Sequence, residues 1–229
     1  GHFDDVTAGS GVEVPGYGMG VATGDVDGDG DVDVYVTNLG RNVLLRNDGG
    51  GRFTDVTTAA GVAGSGWSTS ATFFDADGDG DLDLFVTRYL AWEPARERQC
   101  FSLTGRVDFC SPKNYDAPTS DLFFLNRGNG TFVDASAAGG FTAARGNGLG
   151  VIADDVNGDG RPDLFVANDG TPTHLWLNQG GARFTDVALA RGVAIDQDGA
   201  PKAGMGVHAA DVDDDGDNDG VADSIDNCP

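Results

Sequence analysis

Runs of aspartate with fixed spacing are the residues of this sequence best suited to chemistry. The first reads Asp25-Val-Asp27-Gly-Asp29-Gly30-Asp31-Val-Asp33, and the second, Asp75-Ala-Asp77-Gly-Asp79-Gly80-Asp81-Leu-Asp83, repeats its pattern. Carboxylates at loop positions 1, 3, 5 and 9, a Gly at 6 for the tight turn and a backbone carbonyl from 7 wrap one hard cation in oxygen. Calcium is the expected ion, because magnesium demands a smaller octahedron and transition metals call for His or Cys. A third run, Asp155-Val-Asn157-Gly-Asp159-Gly160-Arg161-Pro162-Asp163, carries less negative charge, so weaker binding is expected there. A fourth, through Asp211, Asp213, Asp215, Asp217 and Asp219, continues the series. An EF-hand would place a bidentate Glu at position 12 between two helices. Position 12 is instead Val36, Val86, Val166 and Ala222, so the loops are expected in strand hairpins, closed by the ninth-position aspartates Asp33 and Asp83. Without a cation the crowded carboxylates repel one another, and calcium is expected to stabilise the fold. A solvated, metal-free Asp-Gly turn is the competing reading of any one loop.

The elements that must hold these loops repeat with them. Phe3-Asp4-Asp5-Val6-Thr7, Phe53-Thr54-Asp55-Val56-Thr57, Phe132-Val133-Asp134-Ala135-Ser136 and Phe184-Thr185-Asp186-Val187 are one motif written four times. The loops start at 25, 75, 155 and 211, and the long second spacing marks an insertion at about 88–120. Short apolar runs alternate with Gly and Asn turns, the pattern of small antiparallel strands. In the first unit, strand A is expected at about 18–24, strand B at 32–37, strand C at 42–46 and strand D at 53–57. Four short strands in about 50 residues predict an all-β fold of β-propeller blades, each a four-stranded antiparallel sheet. Three complete blades are expected at 18–57, 68–136 and 148–187, with a lone D strand before them and a lone A strand near 205–210. Blades thus account for 1–211, and 212–229 forms a separate acidic segment. Such an arc leaves strand edges unpaired.

Composition narrows the partners. The 229 residues carry 37 acidic and 14 basic side chains, a formal charge of −23 that opposes nucleic-acid binding. No apolar run is long enough for a membrane helix. The chain opens without Met at Gly1 and stops at Pro229 within a motif, as a mature or truncated fragment would. Cys100 and Cys110 lie in one polar, Pro-flanked segment where they can close a short loop, a bond that persists in an oxidising compartment. Two free thiols are the other reading; zinc lacks further Cys or His nearby. Cys228 has no evident mate.

Gly204-Met-Gly-Val207, Val166-Ala-Asn-Asp-Gly-Thr-Pro172 and Asn126-Arg-Gly-Asn-Gly-Thr-Phe132, together with the aspartate loops, resemble FG-GAP/VCBS repeats of the cartilage acidic protein (ASPIC/UnbV) family. The likeness spans about residues 3–211 and includes Cys100, Gly105, Asp108, Phe109, Cys110, Pro112 and Tyr115, which look like that family's Cys-flanked loop. It implies a multi-bladed propeller, related in plan to integrin α heads, with calcium in the blade hairpins. The chain departs from the pattern at its end, where Asp215, Asp217, Asp219, Gly220, Asp223, Asp226, Asn227, Cys228 and Pro229 look like a thrombospondin type 3 repeat. That register competes with the blade register for Asp215, Asp217 and Asp219, and both stay open.

With calcium hairpins joining A to B at one face, the insertion stands over the opposite, ligand-taking face, offering Tyr89, Trp92, Arg96, Arg98, Lys113 and Tyr115. A flap that merely covers a blade is the plainer role. His2, His174 and His208 read as structural, and no nucleophile motif is present. The expected function is a secreted or cell-surface calcium-binding repeat module for adhesion or for a protein or glycan ligand. The alternative is a calcium-dependent polysaccharide lyase or hydrolase, with Arg145, Lys113 or Tyr115 as candidate base.

Overall fold

The computed structural model describes residues 1–210; the fourth aspartate run, the thrombospondin-like register and Cys228 lie outside the described residues. The first sheet contains β1 (Tyr17–Gly24), β2 (Asp33–Leu39), β3 (Val43–Asn47) and β4 (Phe53–Asp55), followed by one helical turn, α1 (Thr57–Ala60). In the second, β5 (Ser68–Phe74) and β6 (Asp83–Arg88) are separated from β9 (Leu122–Asn126) and β10 (Phe132–Asp134) by the small hairpin β7 (Cys100–Phe101) and β8 (Val107–Asp108). The third is β11 (Gly148–Asp154), β12 (Asp163–Asn168), β13 (His174–Asn178) and β14 (Phe184–Asp186). Each four-stranded sheet is antiparallel with its strands in sequence order, the arrangement of propeller blades, and no sheet closes on itself among the described residues. The all-β expectation of three four-stranded blades holds.

The blades share their register. Val21 pairs with Val36, Ala71 with Val86 and Val151 with Val166, and each first strand carries an irregularity two or three residues earlier. Glycine is required at one of these irregularities. A Cβ on Gly20 would lie 2.4 Å from the carbonyl oxygen of Thr69 on the next blade, so the innermost strands approach backbone to backbone. Thr69 ties that contact onward, its hydroxyl donating to the carbonyl of Gly148 in the third blade at 2.7 Å.

The core lies between blades. Ala22, Tyr35 and Leu44 of the first pack with Ala71, Leu84, Val86 and Phe124 of the second. Phe74, Phe85 and Phe123 of the second meet Val151, Leu164, Val166 and Trp176 of the third around Phe141. Phe141 is 1% exposed and its ring sits 4.9–5.2 Å from those of Phe85, Phe123, Trp176 and Phe184. Val21 is 63% exposed, whereas its register equivalents Ala71 and Val151 are 8% and 9% exposed, because each later blade is covered by the one before it.

The repeated Phe-x-Asp motif ends the outer strands. The carboxylates of Asp55, Asp134 and Asp186 accept the backbone N–H of Thr57, Ser136 and Ala188, two residues on, and turn the chain out of the sheet. The first copy differs. Residues 3–7, expected as a strand, form none, and Phe3 is solvent-exposed. Residues 205–210 also carry no ladder. They follow the bridge from Asp169 to Ala203 and lie against Gly150, where the next blade's first strand would begin, but the sequence that would supply its partner lies beyond residue 210.

Candidate metal centres

All three described aspartate loops join the first strand of a blade to its second, at the same end of the sheets. The position-1 carboxylates organise the turns. Asp25 accepts from the N–H of Gly28 and Gly30 at 2.8 and 2.9 Å, Asp75 from Gly78 and Gly80 at 2.8 and 3.0 Å, and Asp155 from Asp159 and Gly160 at 3.1 and 2.6 Å. At position 5, Asp29, Asp79 and Asp159 each accept from the N–H two residues on. These bonds curl the backbone so that neighbouring carboxylates converge. Asp25, Asp27 and Asp29 each bring an oxygen within 4.8 Å of the others, and so do Asp75, Asp77 and Asp83.

Position 9 does more than close a cage. Asp33, Asp83 and Asp163 are buried, at 0%, 2% and 0% exposure. Asp33 accepts from Val26 N–H at 2.9 Å and Asn47 N–H at 2.8 Å; Asp83 accepts from Ala76 at 2.9 Å and Asn126 at 2.8 Å; Asp163 accepts from Asn178 at 2.7 Å. Each thus ties its loop to the third strand of its blade. Burial pushes the Asp83 and Asp163 carboxyls up to about 6 and raises that of Asp33 as well. Burial, with Asp79 alongside, also raises Asp77.

Position 7 separates the loops. Asp31 and Asp81 turn away from the cluster toward the next turn of their own blade, where Cβ atoms added at Gly49 and Gly128 would lie 3.3 and 2.6 Å from their carboxylate oxygens. Arg161 instead pairs with Asp159 at 2.5 Å and donates from Nε to the Asn178 carbonyl at 3.0 Å. Asn157 accepts from Asp159 N–H at 3.0 Å. No tight cluster of three carboxylates forms at this loop.

Three asparagines were not foreseen as part of these sites. Asn126 and Asn178, ending the third strands of blades two and three, donate from Nδ2 across the blade boundary to the carbonyls of Val26 and Ala76 at 2.8 Å. Asn47 is their counterpart in blade one, bonded within its blade to Val32. The signal was legible as Asn47, Asn126 and Asn178 each standing just before a Gly-containing turn. The first and second loops are therefore built into the joints between blades.

Unpartnered carboxylate oxygens test whether a cation fits, and there are two in the described loops, Asp27 Oδ1 in the first and Asp163 Oδ2 in the third. Asp27 Oδ1 is buried and has no hydrogen-bond partner, within the Asp25, Asp27 and Asp29 cluster. A buried carboxylate oxygen without a partner is costly, and an ion among these all-oxygen donors would satisfy it. Calcium suits the donor set: Asp25, Asp27 and Asp29 would hold it in the first loop, and Asp75, Asp77 and Asp83 in the second.

The other ends of the strands carry the insertion. Cys100 and Cys110 are disulfide-bonded, with Cα atoms 5.2 Å apart. The insertion is rooted by the ring of Trp67, which lies 5.2 Å from that of Tyr89 and 5.8 Å from that of Trp92, and by Tyr89 donating to Asp169 of blade three at 2.7 Å. Lys113 lies over Gly170, and Tyr115 donates to Glu97 at 3.0 Å. Arg145 adjoins the bridge between Thr119 and Gly146, at the strand ends opposite the aspartate loops. Of the histidines, His174 is buried and bonded to Asp186 at 2.7 Å, while His2 is exposed beside Asp4.

The profile of the FG-GAP-like repeat matches residues 25–86, 103–166 and 155–222. Cartilage acidic protein 1 of Homo sapiens is 39% identical over 83 residues, 35% of this chain and 12% of that protein. The Mus musculus protein is 37% identical over 83 residues and that of Xenopus tropicalis 34% over 86, covering 12% and 13% of their lengths. The matched part of the chain thus spans about an eighth of these curated relatives. A solved Agrocybe aegerita lectin, described as recognising non-reducing terminal N-acetylglucosamine, aligns at 18% identity over 71% of this chain and 50% of its own, with a TM-score of 0.23, too low to support an argument.

Proposed function

The chain belongs to the FG-GAP-like repeat family, and from that premise we propose that it is an extracellular ligand-binding module whose aspartate loops hold calcium and stiffen the joints between blades. The observation that carries the reading is the partnerless, buried Asp27 Oδ1 in a carboxylate cluster whose loop is latched to the next blade by Asn126. An ion there acts on the junction, not on one hairpin alone. The disulfide and the kinship to a cartilage protein support an extracellular setting. The strand ends opposite the loops, where the insertion stands, are then the surface that meets a protein or glycan. No membrane-spanning helix is present among the described residues.

The division of labour is physical. Calcium at dissociation constants of about 0.1–1 mM would stabilise each occupied loop by about 0.5–1.5 kcal/mol at millimolar concentration. Rigid blades lower the ordering cost of binding at loops mounted on them. Biolayer interferometry against fractionated matrix proteins and a glycan array tests this: binding is expected in about 2 mM calcium and weakened in EGTA. No binding in either condition would overturn it.

A further inference from the structure

The hairpin of the insertion has no counterpart in the other two blades. Its two strands, the turn between them and the residue that follows expose Phe101, Leu103, Val107 and Phe109, with Leu103 and Phe109 fully in solvent. Soluble chains seldom place four large apolar side chains on ten residues without a use for them. The display is held rigid. The disulfide closes the base, Ser102 N–H donates to the Arg106 carbonyl at 2.8 Å, and Gly105 N–H donates to the Ser102 carbonyl at 2.9 Å. A cleft of about 500 Å³ runs beside it, lined by Glu97, Arg98, Gln99, Val107, Asp108 and Phe109.

Charge says what such a surface admits. Residues 88–120 carry five basic and four acidic side chains, while the rest of the chain carries nine basic and 33 acidic. Within the insertion Glu93 is taken by Arg96, and Glu97 by Trp92 and Tyr115. Arg98, Arg106 and Lys113 have no ion-pair partner among the described residues. A basic partner would be drawn to the aspartate loops at the other end of the blades. An acidic partner is repelled by the body of the molecule and accepted here, which is how like-charge exclusion confers specificity.

We propose that this disulfide-closed hairpin is a docking finger for an acidic protein segment bearing bulky apolar side chains. The aromatic and aliphatic tips supply the anchors, and Arg98, Arg106 and Lys113 supply the complementary charge. The proposal rests on the ligand-binding reading above and gives it a partner class and a place.

The test is selection from a random phage-displayed peptide library on the calcium-loaded chain. The expected consensus combines Asp or Glu with bulky apolar residues. A synthetic peptide of that consensus, followed by fluorescence anisotropy, should bind about tenfold or more weakly to Leu103→Ser/Phe109→Ser and to Arg98→Glu/Arg106→Glu. Both variants should melt as the wild type does, because the altered side chains lie outside the core. Selection of no peptide, a consensus without acidic residues, or unchanged binding to either variant overturns the proposal. So does binding of a heparin hexasaccharide that Arg98→Glu/Arg106→Glu alone abolishes, or of phosphatidylcholine vesicles that Leu103→Ser/Phe109→Ser alone abolishes, since these assign the surface to a glycan or a lipid. If calcium-dependent binding to a matrix component survives in both variants, the ligand-binding reading stands while the finger falls.

Discussion

The first two aspartate loops and the third share a backbone and differ in charge. All three begin with a carboxylate that accepts from two N–H groups of the turn, and all end in a buried aspartate bonded to the third strand. The first two set five carboxylates in nine residues; the third sets three, with Arg161 paired to Asp159. The difference separates two jobs that the motif performs at once. Positions 1 and 9 fold the loop and fasten it to the sheet, while positions 3, 5 and 7 set how strongly a cation is drawn in. The third loop keeps the first job and relaxes the second by supplying part of the counter-charge itself.

The fastening role makes the largest prediction. Asp83→Ala leaves two buried N–H groups, on Ala76 and Asn126, without an acceptor and should cost about 3 kcal/mol by urea denaturation. The loss should appear in EGTA as well as in calcium. Asp83 also belongs to the second carboxylate cluster, so the loss should be somewhat larger in calcium; a loss confined to calcium would leave it a ligand alone and sink the fastening role. A comparable loss of about 3–5 kcal/mol is expected from Phe141→Ala, which empties the junction of blades two and three.

The charge-setting positions should behave in the opposite way. Asp27→Asn removes a half-buried carboxylate charge whose Oδ1 has no hydrogen-bond partner, so stability in EGTA should hold or rise, while calcium affinity by isothermal titration falls by about tenfold, or about 1.4 kcal/mol. Exchanging position 7 sharpens the comparison further. Arg161→Asp should strengthen calcium binding at the third loop and Asp31→Arg should weaken it at the first, each by about 0.5–1 kcal/mol. Equal affinity at all loops before and after the exchange would contradict the ranking.

Acid titration gives the smallest effect and a useful control. Asp83 and Asp163 sit near 6 without an ion, above the ordinary 3.8, so the metal-free fold prefers them protonated and loses stability as pH rises from about 4 to 6. Bound calcium favours their charged forms, and the stabilisation it gives is full above that window and fades as pH falls through about 6. The gap between calcium and EGTA melting temperatures should therefore narrow from pH 7 to pH 5. Asp121 is also pushed up to about 6 by burial, but it lies beside Arg88 at the far end of the strand from the second loop. Asp121→Asn should abolish its share of the pH dependence equally with and without calcium.

Much of this architecture was legible because it recurs. The aspartate spacing and the short apolar runs placed the three sheets, and the motif at Phe53, Phe132 and Phe184 marked their outer strands. Its copy at Phe3 misled, since among the described residues no strand lies beside it and Phe3 stays exposed. The latch was not legible. Asp83 meets Asn126 across 43 residues and the whole insertion, and the link from Asn178 to Ala76 spans 102 residues. Alternating aspartates announce a polar loop, but nothing in their spacing says that the ninth is buried or that the second carbonyl faces another blade. The charge pattern of the insertion was visible in sequence, whereas the outward set of its four apolar side chains required the hairpin.

The central claim is that the aspartate loops hold calcium at the joints between blades. Calorimetric melting in about 2 mM calcium and in EGTA, with bound metal counted by mass spectrometry, tests it most directly. Two occupied loops should contribute about 1–3 kcal/mol and raise the midpoint by roughly 2–10 °C, with about two calcium ions bound per chain while free calcium is present. Identical midpoints and a protein free of metal would contradict the account.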